Sequence, residues 1–450
     1  MDARSPRVVD RQASIDWFLN TRARTAKMFD LLTGQAYYEQ PIPLRHPVVF
    51  YEGHIPAFSV NTLIKRGLGR DGLDEDLERL FERGIDPEDQ DSADSMANLS
   101  WPTRETVLRY TAAADETILE ALGHRNIERD HPPMLHRGQA VFTLIEHEEL
   151  HQETLAYMWH QLPASRKRRP ANTSVITDGV VPEYRQVRVP SGSATLGAMP
   201  DEIPFGWDNE FPRLRVKVPA FTIDAHNVTN QQYLEFIKAG GYTDQAYWCD
   251  TGWAWRVGSS VEHPAFWCHR AGEWFWRGMF ELIPLPLAWP VYVTHAEASA
   301  FARWKGLRLP TEAEFHRAAF GAPGGVERIL PWGAAPADAT RGNFGFQRWD
   351  PVPVGSYPAG ASAWGVHDLV GNGWEWTSTV FDGFPGFQPM ASYPQYSADF
   401  FDGRHYVIKG ASSATAYGLV RRSLRNWFRP CYPYVYAGFR CVGDRQFGNH

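Results

Sequence analysis

Hydrophobic and polar residues alternate with a helical period through the first 165 residues. Apolar side chains recur every three or four positions, as expected for helices that each bury one face. The candidate helices span residues 14–32, 74–84, 101–122 and 137–162. Four helices in one stretch predict a bundle, and bundles build metal sites from side chains that point inward.

The pattern changes near residue 185. Fifteen of the chain's 18 tryptophans lie beyond it, among short β-like runs separated by Gly/Pro turns. Only three helices are expected there, over 229–241, 294–306 and 310–321, each ended by glycine. Between the two halves lies a proline-bounded, basic segment without periodicity, which is typical of a linker. We therefore predict a helical domain over 1–165, a linker over 166–184 and a second domain over 185–450.

Composition narrows the function. A net charge of −7 and a pI near 6.2 argue against nucleic-acid binding. No run of about 18 apolar residues predicts a membrane span, and the N-terminus is polar where a signal peptide needs an apolar core. Four cysteines lie far apart without a disulfide framework. We expect a cytoplasmic protein with reduced thiols and small-molecule partners.

The sequence "HEELH" contributes the first candidate chemistry. His147 and His151 are four residues apart on a predicted helix, so their side chains leave it about 40° apart. The residues nearest that face are apolar: Ala140, Leu144, Leu155 and Met158. Two imidazoles on one apolar, inward face need a partner for their burial. We predict that both bind a metal ion.

The letters also match the H-E-x-x-H signature of zinc proteases, in which the glutamate activates water. Glu148 lies about 100° from His147 around the helix and Glu153 about 240°, so Glu153 is aimed away from the metal. The third ligand is expected from another helix. His54 lies inside an aromatic and apolar run, and it is a better candidate than His46 at the start of that run.

Several segments of the second half point to a known family. In chain order they are "VPSGSATLGAMPDEIPFGWDNEF", "GLRLPTEAEFHRAA", "GVHDLVGNGWEWTSTVF" and "RRSLRNWFRPCYPYVYAGFRCV". They resemble the formylglycine-generating-enzyme (sulfatase-modifying-factor) domain, a C-type-lectin-like fold, over about residues 185–445. The resemblance implies an α+β chain in which a helical bundle precedes a lectin-like domain poor in regular secondary structure.

The first half resembles a DinB-type four-helix bundle, whose hallmark His-x3-His-x-Glu is here His147, His151 and Glu153. A DinB-like bundle fused to this lectin-like domain is the architecture of the thiohistidine sulfoxide synthases of ergothioneine and ovothiol biosynthesis. The resemblance implies a non-haem Fe(II) held by His54, His147 and His151. In that family dioxygen joins the sulfur of a cysteine derivative to C2 of a histidine imidazole and leaves a sulfoxide.

The resemblance also implies substrate residues. In the ergothioneine branch the second substrate is Nα-trimethylhistidine (hercynine), and an Arg-Asn-Trp element, here ending in Asn426 and Trp427, favours it. An aromatic surface suits its quaternary ammonium group. Tyr393 matches a tyrosine that contacts substrate. Arg104 is the candidate for the carboxylate of the sulfur donor.

Departures from the family bear on the sulfur donor. The branch that uses γ-glutamylcysteine has glutamine, arginine, aspartate and arginine at positions where this chain has Leu150, Trp101, Phe428 and Tyr432. Fewer charged groups favour a smaller donor, so we expect free cysteine rather than γ-glutamylcysteine. The tyrosine that supplies a proton in that branch aligns with a non-tyrosine near Met390. Tyr432 or Tyr434 is the expected replacement.

Three alternatives stay open. An ovothiol-type synthase would act on histidine itself. A zinc peptidase would need Glu148 beside the metal and a downstream ligand, for which His160 is the close candidate, although it points about 180° away from His151. A non-catalytic DinB-like module would bind metal only for stability.

Overall fold

A computed structural model describes residues 9–82, 100–124, 127–171 and 173–443. The chain divides into two compact units. The first contains Met1–Ala171 and Met390–Pro394, and the second contains Asn172–Pro389 and Gln395–His450. The division after residue 171 falls inside the predicted linker. Residues 390–394 were assigned by the sequence to the second domain, but they group with the helices of the first unit.

The first unit is helical. Its helices are α1 (Arg11–Asp30), α2 (Val48–Ser59), α3 (Glu75–Leu80), α4 (Arg104–Gly123) and α5 (Gln139–Gln161). The side chains of Asp10 and Thr103 cap α1 and α4 by accepting from backbone N–H groups of the first turn. The helices predicted over 14–32, 101–122 and 137–162 are therefore confirmed.

The fourth predicted helix, over 74–84, is present but shorter than expected. Helix α3 has six residues, and the expected end at residue 84 lies outside the described residues. The sequence missed α2, which continues as a π-helix over Val60–Gly67. All twelve residues of α2 are buried. A helix that is buried on every side has no polar face, so the 3.6-residue pattern that reveals other helices is absent.

The second unit is built from short strands: β1 (Gln186–Val189), β2 (Gly192–Leu196), β3 (Leu214–Val218), β4 (Phe221–Asp224), β5 (Trp267–Arg270), β6 (Glu273–Arg277), β7 (Leu282–Pro284), β8 (Gly373–Val380), β9 (Tyr406–Ala411), β10 (Asn426–Phe428), β11 (Ala437–Gly438) and β12 (Val442–Gly443). The sheets run β1-β4-β12, β2-β3, β5-β6-β7 and β10-β9-β8-β11. All pairings are antiparallel except β11 with β8. Together with the helices of the first unit, these sheets confirm the α+β class.

Helices α6 (Asn230–Lys238), α7 (Asp250–Gly258), α8 (His295–Trp304) and α9 (Glu312–Phe320) also belong to the second unit. A threonine precedes α6, α8 and α9, and each forms a capping box with the residue three positions on. These are the three helices that the sequence predicts. Helix α7 was missed, because its glycines and tryptophans give no helical period. None of the described helices has the length and apolar character that a bilayer span requires.

Candidate metal centre

Helix α2 carries His54 into the interior of the first unit, where the side chain is 2% exposed. Phe50, one turn earlier, stacks on its ring with centroids 5.0 Å apart. Phe58, one turn later, stacks on the ring of His147 at 3.5 Å and 10°. Phe50 and Phe58, which belong to the apolar run of α2, thus cover the ring faces of His54 and His147.

A backbone carbonyl fixes the orientation of His54. Its Nδ1 lies 2.8 Å from the carbonyl oxygen of Phe81, just after α3. A carbonyl can only accept, so Nδ1 carries the proton and the Nε2 lone pair points away from Phe81. Gly53 permits this arrangement, because a Cβ at residue 53 would overlap the Phe81 ring.

The other two imidazoles come from α5. The Nε2 atoms of His147 and His151 are 3.1 Å apart, and Nε2 of His147 lies 3.3 Å from Nε2 of His54. One ring nitrogen from each histidine fits within a group whose members all lie within 4.8 Å of one another. The structure therefore brings together the three histidines that the sequence proposed as ligands.

These histidines are neutral at physiological pH. Burial lowers the pKa of His54 to about 4, against a raising effect of the Phe81 carbonyl. Burial also lowers the pKa of His147 and His151 well below the usual value, and neighbouring imidazoles lower both further. Neutral imidazole is the form that binds a metal ion.

The arrangement fits a divalent metal. A neutral imidazole has one ring nitrogen with a lone pair, and three lone pairs converging on one point repel each other unless a cation lies between them. Nδ1 of His147 and Nδ1 of His151 are buried without a hydrogen-bond partner among the described residues. With those atoms protonated, all three Nε2 atoms offer lone pairs to the same point. Three histidines leave coordination positions open for ligands from outside the protein.

Glu148 is engaged elsewhere. Its Oε2 lies 3.1 Å from Nη1 of Arg22 on α1, and its Oε1 accepts from the hydroxyl of Thr25 at 2.5 Å. These contacts turn the carboxylate towards α1, so the base that a zinc peptidase requires is committed to an ion pair. Glu153 and His160 are buried and lie outside the three-histidine group.

Tyr393 lies in the short segment that groups with the helices. Its ring centroid is 5.3 Å from that of Phe58 and 6.3 Å from that of His147. The neighbouring Ser392 holds the segment on α5, through a 2.8 Å hydrogen bond between its hydroxyl and that of Thr143. Thr143 is one turn before His147. The structure thus places Tyr393 beside the histidines.

Arg104 forms an ion pair with Glu52 instead of standing free. Its Nη2 is 2.8 Å from Oε1 of Glu52, and its Nε donates to both carboxylate oxygens at 3.1–3.2 Å. Glu52 and His54 are two residues apart on α2, so their side chains leave the helix about 200° apart. The contacts give Arg104 a structural partner on the side of α2 away from His54. Its role in substrate binding stays a prediction that these contacts do not favour.

The remaining predicted site residues lie in the second unit. Trp427, on β10, stacks on Phe381 with centroids 4.1 Å apart and an angle of 7°, and Tyr396 and Phe400 meet its edges. The side-chain oxygen of Asn426 accepts from the Trp427 N–H at 2.8 Å. Trp427 is thus part of an aromatic cluster, and the substrate roles of both residues stay predictions.

Tyr432 and Tyr434 pack edge to face with centroids 5.0 Å apart, and Tyr432 also stacks on Phe428. Burial raises the pKa of Tyr434, while Arg277 lowers it. Neither residue belongs to the three-histidine group, and their catalytic use stays a prediction.

Sequence analysis did not single out Tyr51, Phe58 or Phe81. The ring of Tyr51 is 5.6 Å from that of His151. His54 and Phe58 are four residues apart, a spacing that places two side chains on one face of a helix. That spacing would have indicated Phe58 only if the run had been predicted to be helical. The Phe81 carbonyl had no signal, since every residue has one.

Comparison with known proteins finds a family match over the second half of the chain and relatives along most of its length. A family profile described as "Sulfatase-modifying factor enzyme 1-like domain" matches residues 172–445. The chain is 33% identical to hercynine oxygenase of Mycolicibacterium smegmatis, over 97% of this chain and 100% of that protein. It is 34% identical to hercynine oxygenase of Mycobacterium tuberculosis, over 94% of this chain and 96% of that protein. It is 29% identical to ergothioneine biosynthesis protein 1 of Schizosaccharomyces pombe, over 92% of this chain and 53% of that protein.

Proposed function

Because this chain belongs to the hercynine oxygenase family, we propose that it forms a carbon–sulfur bond oxidatively in ergothioneine biosynthesis. A thiol and C2 of the hercynine imidazole are joined, and the sulfur is left as a sulfoxide. The balance is one thiol, one imidazole C–H and one dioxygen giving one sulfoxide and one water. Forming the C–S bond and oxidising the sulfur each remove two electrons, which together reduce dioxygen fully, so no external reductant is required.

The observation that carries this proposal is the convergence of three neutral imidazoles on one point. His54, His147 and His151 would hold Fe(II), which supplies a place where a thiolate and dioxygen meet and exchange electrons. The Phe81 carbonyl holds His54 in the tautomer that this requires. Phe50 and Phe58 keep water from the ring faces.

For the proton that dioxygen reduction consumes, the first unit offers a phenol of its own. Tyr393 lies 6.3 Å, ring to ring, from His147. We favour it as the acid over Tyr432 and Tyr434, which were proposed only because the aligned position near Met390 is not a tyrosine. A Tyr393→Phe variant is expected to lose activity about 100-fold or more, whereas Tyr432→Phe and Tyr434→Phe are expected to stay near wild type.

The sulfur donor proposed here is free cysteine, with γ-glutamylcysteine as the alternative. Leu150, Phe428 and Tyr432 replace groups that a larger, more charged donor would use. Histidine in place of hercynine defines the ovothiol-type alternative. A cytoplasmic location likewise stays a prediction.

One assay tests the function. Protein purified without oxygen is mixed with Fe(II), hercynine and cysteine, air is admitted, and the sulfoxide is sought by mass spectrometry. γ-Glutamylcysteine and histidine replace their counterparts in parallel reactions. The proposal predicts hercynylcysteine sulfoxide as the main product. It fails if no thiol and imidazole pair yields a coupled product.

A further inference from the structure

The π-helix that follows α2 changes which residues share a face with His54. A continuous α-helix would place residues 54 and 66 about 120° apart. A π-helix has wider turns, at about 4.4 residues each. With α-geometry to Ser59 and π-geometry from Val60 to Gly67, Arg66 returns to within about 20° of His54. Irregular helices of this kind are frequent at functional sites.

Arg66 therefore lies on the face that carries His54 and Phe58. Twelve residues separate it from His54, at most about 18 Å of helix rise. Side chains on a helix lean towards its N-terminus, so the guanidinium reaches back along this face towards the histidines.

The guanidinium has no carboxylate in hydrogen-bonding contact within the described part of the chain. Its Nε donates to the carbonyl oxygen of Asn61 at 3.2 Å, and its Nη2 donates to the hydroxyl of Thr62 at 2.9 Å. Both acceptors are neutral. A guanidinium has five N–H groups in a planar fork that matches a carboxylate, so donors remain for a ligand.

Arg66 also belongs to the surroundings of the histidine site. Arg66 is exposed by surface area; partial burial of its guanidinium nevertheless lowers its pKa, while nearby Glu82 and Tyr393 raise it. Tyr393 in turn packs against Phe58, which stacks on His147. Ring contacts thus lead from His147 through Phe58 to Tyr393, and Tyr393 interacts electrostatically with Arg66.

We propose that Arg66 binds the carboxylate of an amino-acid substrate whose reacting atom lies at the three histidines. This inference rests on the proposed function and deepens it. Hercynine and the thiol donor both carry a carboxylate, so the shared chemistry is a carboxylate held by the guanidinium fork. Arg104 was the sequence-based candidate for such a role, but Glu52 already pairs with it.

The first test separates the two substrates by steady-state kinetics. Arg66→Met is expected to raise the KM of one substrate about 10- to 100-fold with kcat within about threefold, because a charged hydrogen-bonded contact is lost. The substrate whose KM rises is the one held by its carboxylate. Arg70→Met is the matched control, since Arg70 lies four residues on and pairs with Glu120 in solvent. It should leave both KM values unchanged.

The second test removes the carboxylate instead of the arginine. Cysteamine replaces cysteine, and the decarboxylated analogue replaces hercynine. For the substrate that Arg66 binds, the carboxylate-free analogue should react equally well with wild type and Arg66→Met. Arg66→Lys keeps the charge without the fork, and an intermediate KM is expected from it.

Calorimetric titration of the Fe(II)-loaded protein without oxygen measures substrate binding apart from turnover. A Kd that rises with Arg66→Met by the same factor as KM supports the inference. If wild type binds the carboxylate ligand more tightly than Arg66→Met yet forms no product, Arg66 keeps its role and the proposed function falls. Unchanged KM and Kd values in folded Arg66→Met or Arg66→Lys, checked by circular dichroism, overturn the inference.

Discussion

Two buried clusters, one in each unit, treat their polar groups in opposite ways. In the first, three neutral imidazoles converge, with Nε2 of His147 3.1 Å from Nε2 of His151 and 3.3 Å from Nε2 of His54. In the second, Nε and Nη2 of Arg440 each lie 2.6 Å from a carboxylate oxygen of Glu375, and both residues are 0% exposed. The arginine also donates to the carbonyl oxygens of Asp224 and His367.

The difference shows which polar groups hold the fold and which await a ligand. Arg440 and Glu375 neutralise each other, and the arginine ties separate loops together. The three histidines have no negative charge among them, and their convergence gains nothing until a cation is bound. Buried groups that complete their own interactions therefore mark structure, and buried groups that leave lone pairs facing one another mark the site.

The largest effect is expected from removing one of the three histidines. His147→Ala should lower turnover at least about 1,000-fold, because a metal with two ligands is bound weakly and incorrectly. Saturating Fe(II) should stabilise wild type by about 2.7 kcal/mol at 100 times its Kd, and should leave the melting temperature of His147→Ala unchanged. Metal analysis and thermal melts with and without Fe(II) measure both. Retained stoichiometric iron in the variant would contradict the assignment.

The next largest effect is expected from removing the charge of Glu375 in the buried ion pair with Arg440. Glu375→Gln leaves Arg440 buried without its countercharge, which should cost about 3–5 kcal/mol of unfolding free energy. Urea denaturation measures the loss. Asp76→Asn is the control, since it removes an exposed carboxylate that pairs with Arg79, and it should cost less than about 1 kcal/mol. An equal loss of unfolding free energy in the two variants would contradict the prediction that the buried ion pair contributes more than the exposed one.

A smaller effect concerns the support of His54. Gly53→Ala places a methyl group against the Phe81 ring and displaces the carbonyl that fixes the His54 tautomer. Metal affinity is expected to fall about 10- to 100-fold, measured by competition with a chelator. Gly123→Ala, at the end of α4, has open space around the added methyl. The same loss of affinity in this control would refute the explanation.

The smallest effect on activity is expected from Glu148→Gln. The single amide oxygen of the glutamine can still accept from Arg22, and its NH2 group can donate to the Thr25 hydroxyl. Turnover should therefore stay within about threefold of wild type while unfolding free energy falls by about 1–3 kcal/mol. A parallel His151→Gln variant should be inactive. Loss of activity in Glu148→Gln without loss of stability would revive the glutamate as a catalytic base.

The sequence points to the three histidines in two ways. The spacing of His147 and His151 on an amphipathic helix is a local signal, and it survives in the structure. His54 was chosen because it lies in an apolar run, although the run was not identified as a helix. Because every residue of helix α2 is buried, the run shows no helical periodicity. The same apolar character indicated that His54 is buried.

Other parts of the site depend on contacts that local sequence does not encode. The Phe81 carbonyl is a backbone atom, and Ser392 meets Thr143 across 249 residues of chain. The face on which Arg66 lies depends on the change from α- to π-helical geometry. The spacing of apolar residues did not predict that change. The pairing of Arg104 with Glu52 likewise joins residues 52 positions apart, and it changed the interpretation of Arg104.

The segment Met390–Pro394 has a consequence for how this architecture can be recombined. It groups with a helical unit whose other residues end at 171, and it carries Tyr393. An exchange of gene segments at that point would transfer all three histidines but leave the tyrosine behind. The helical unit is therefore not an interchangeable cassette, and a chimera that keeps its chemistry must inherit both pieces from one parent.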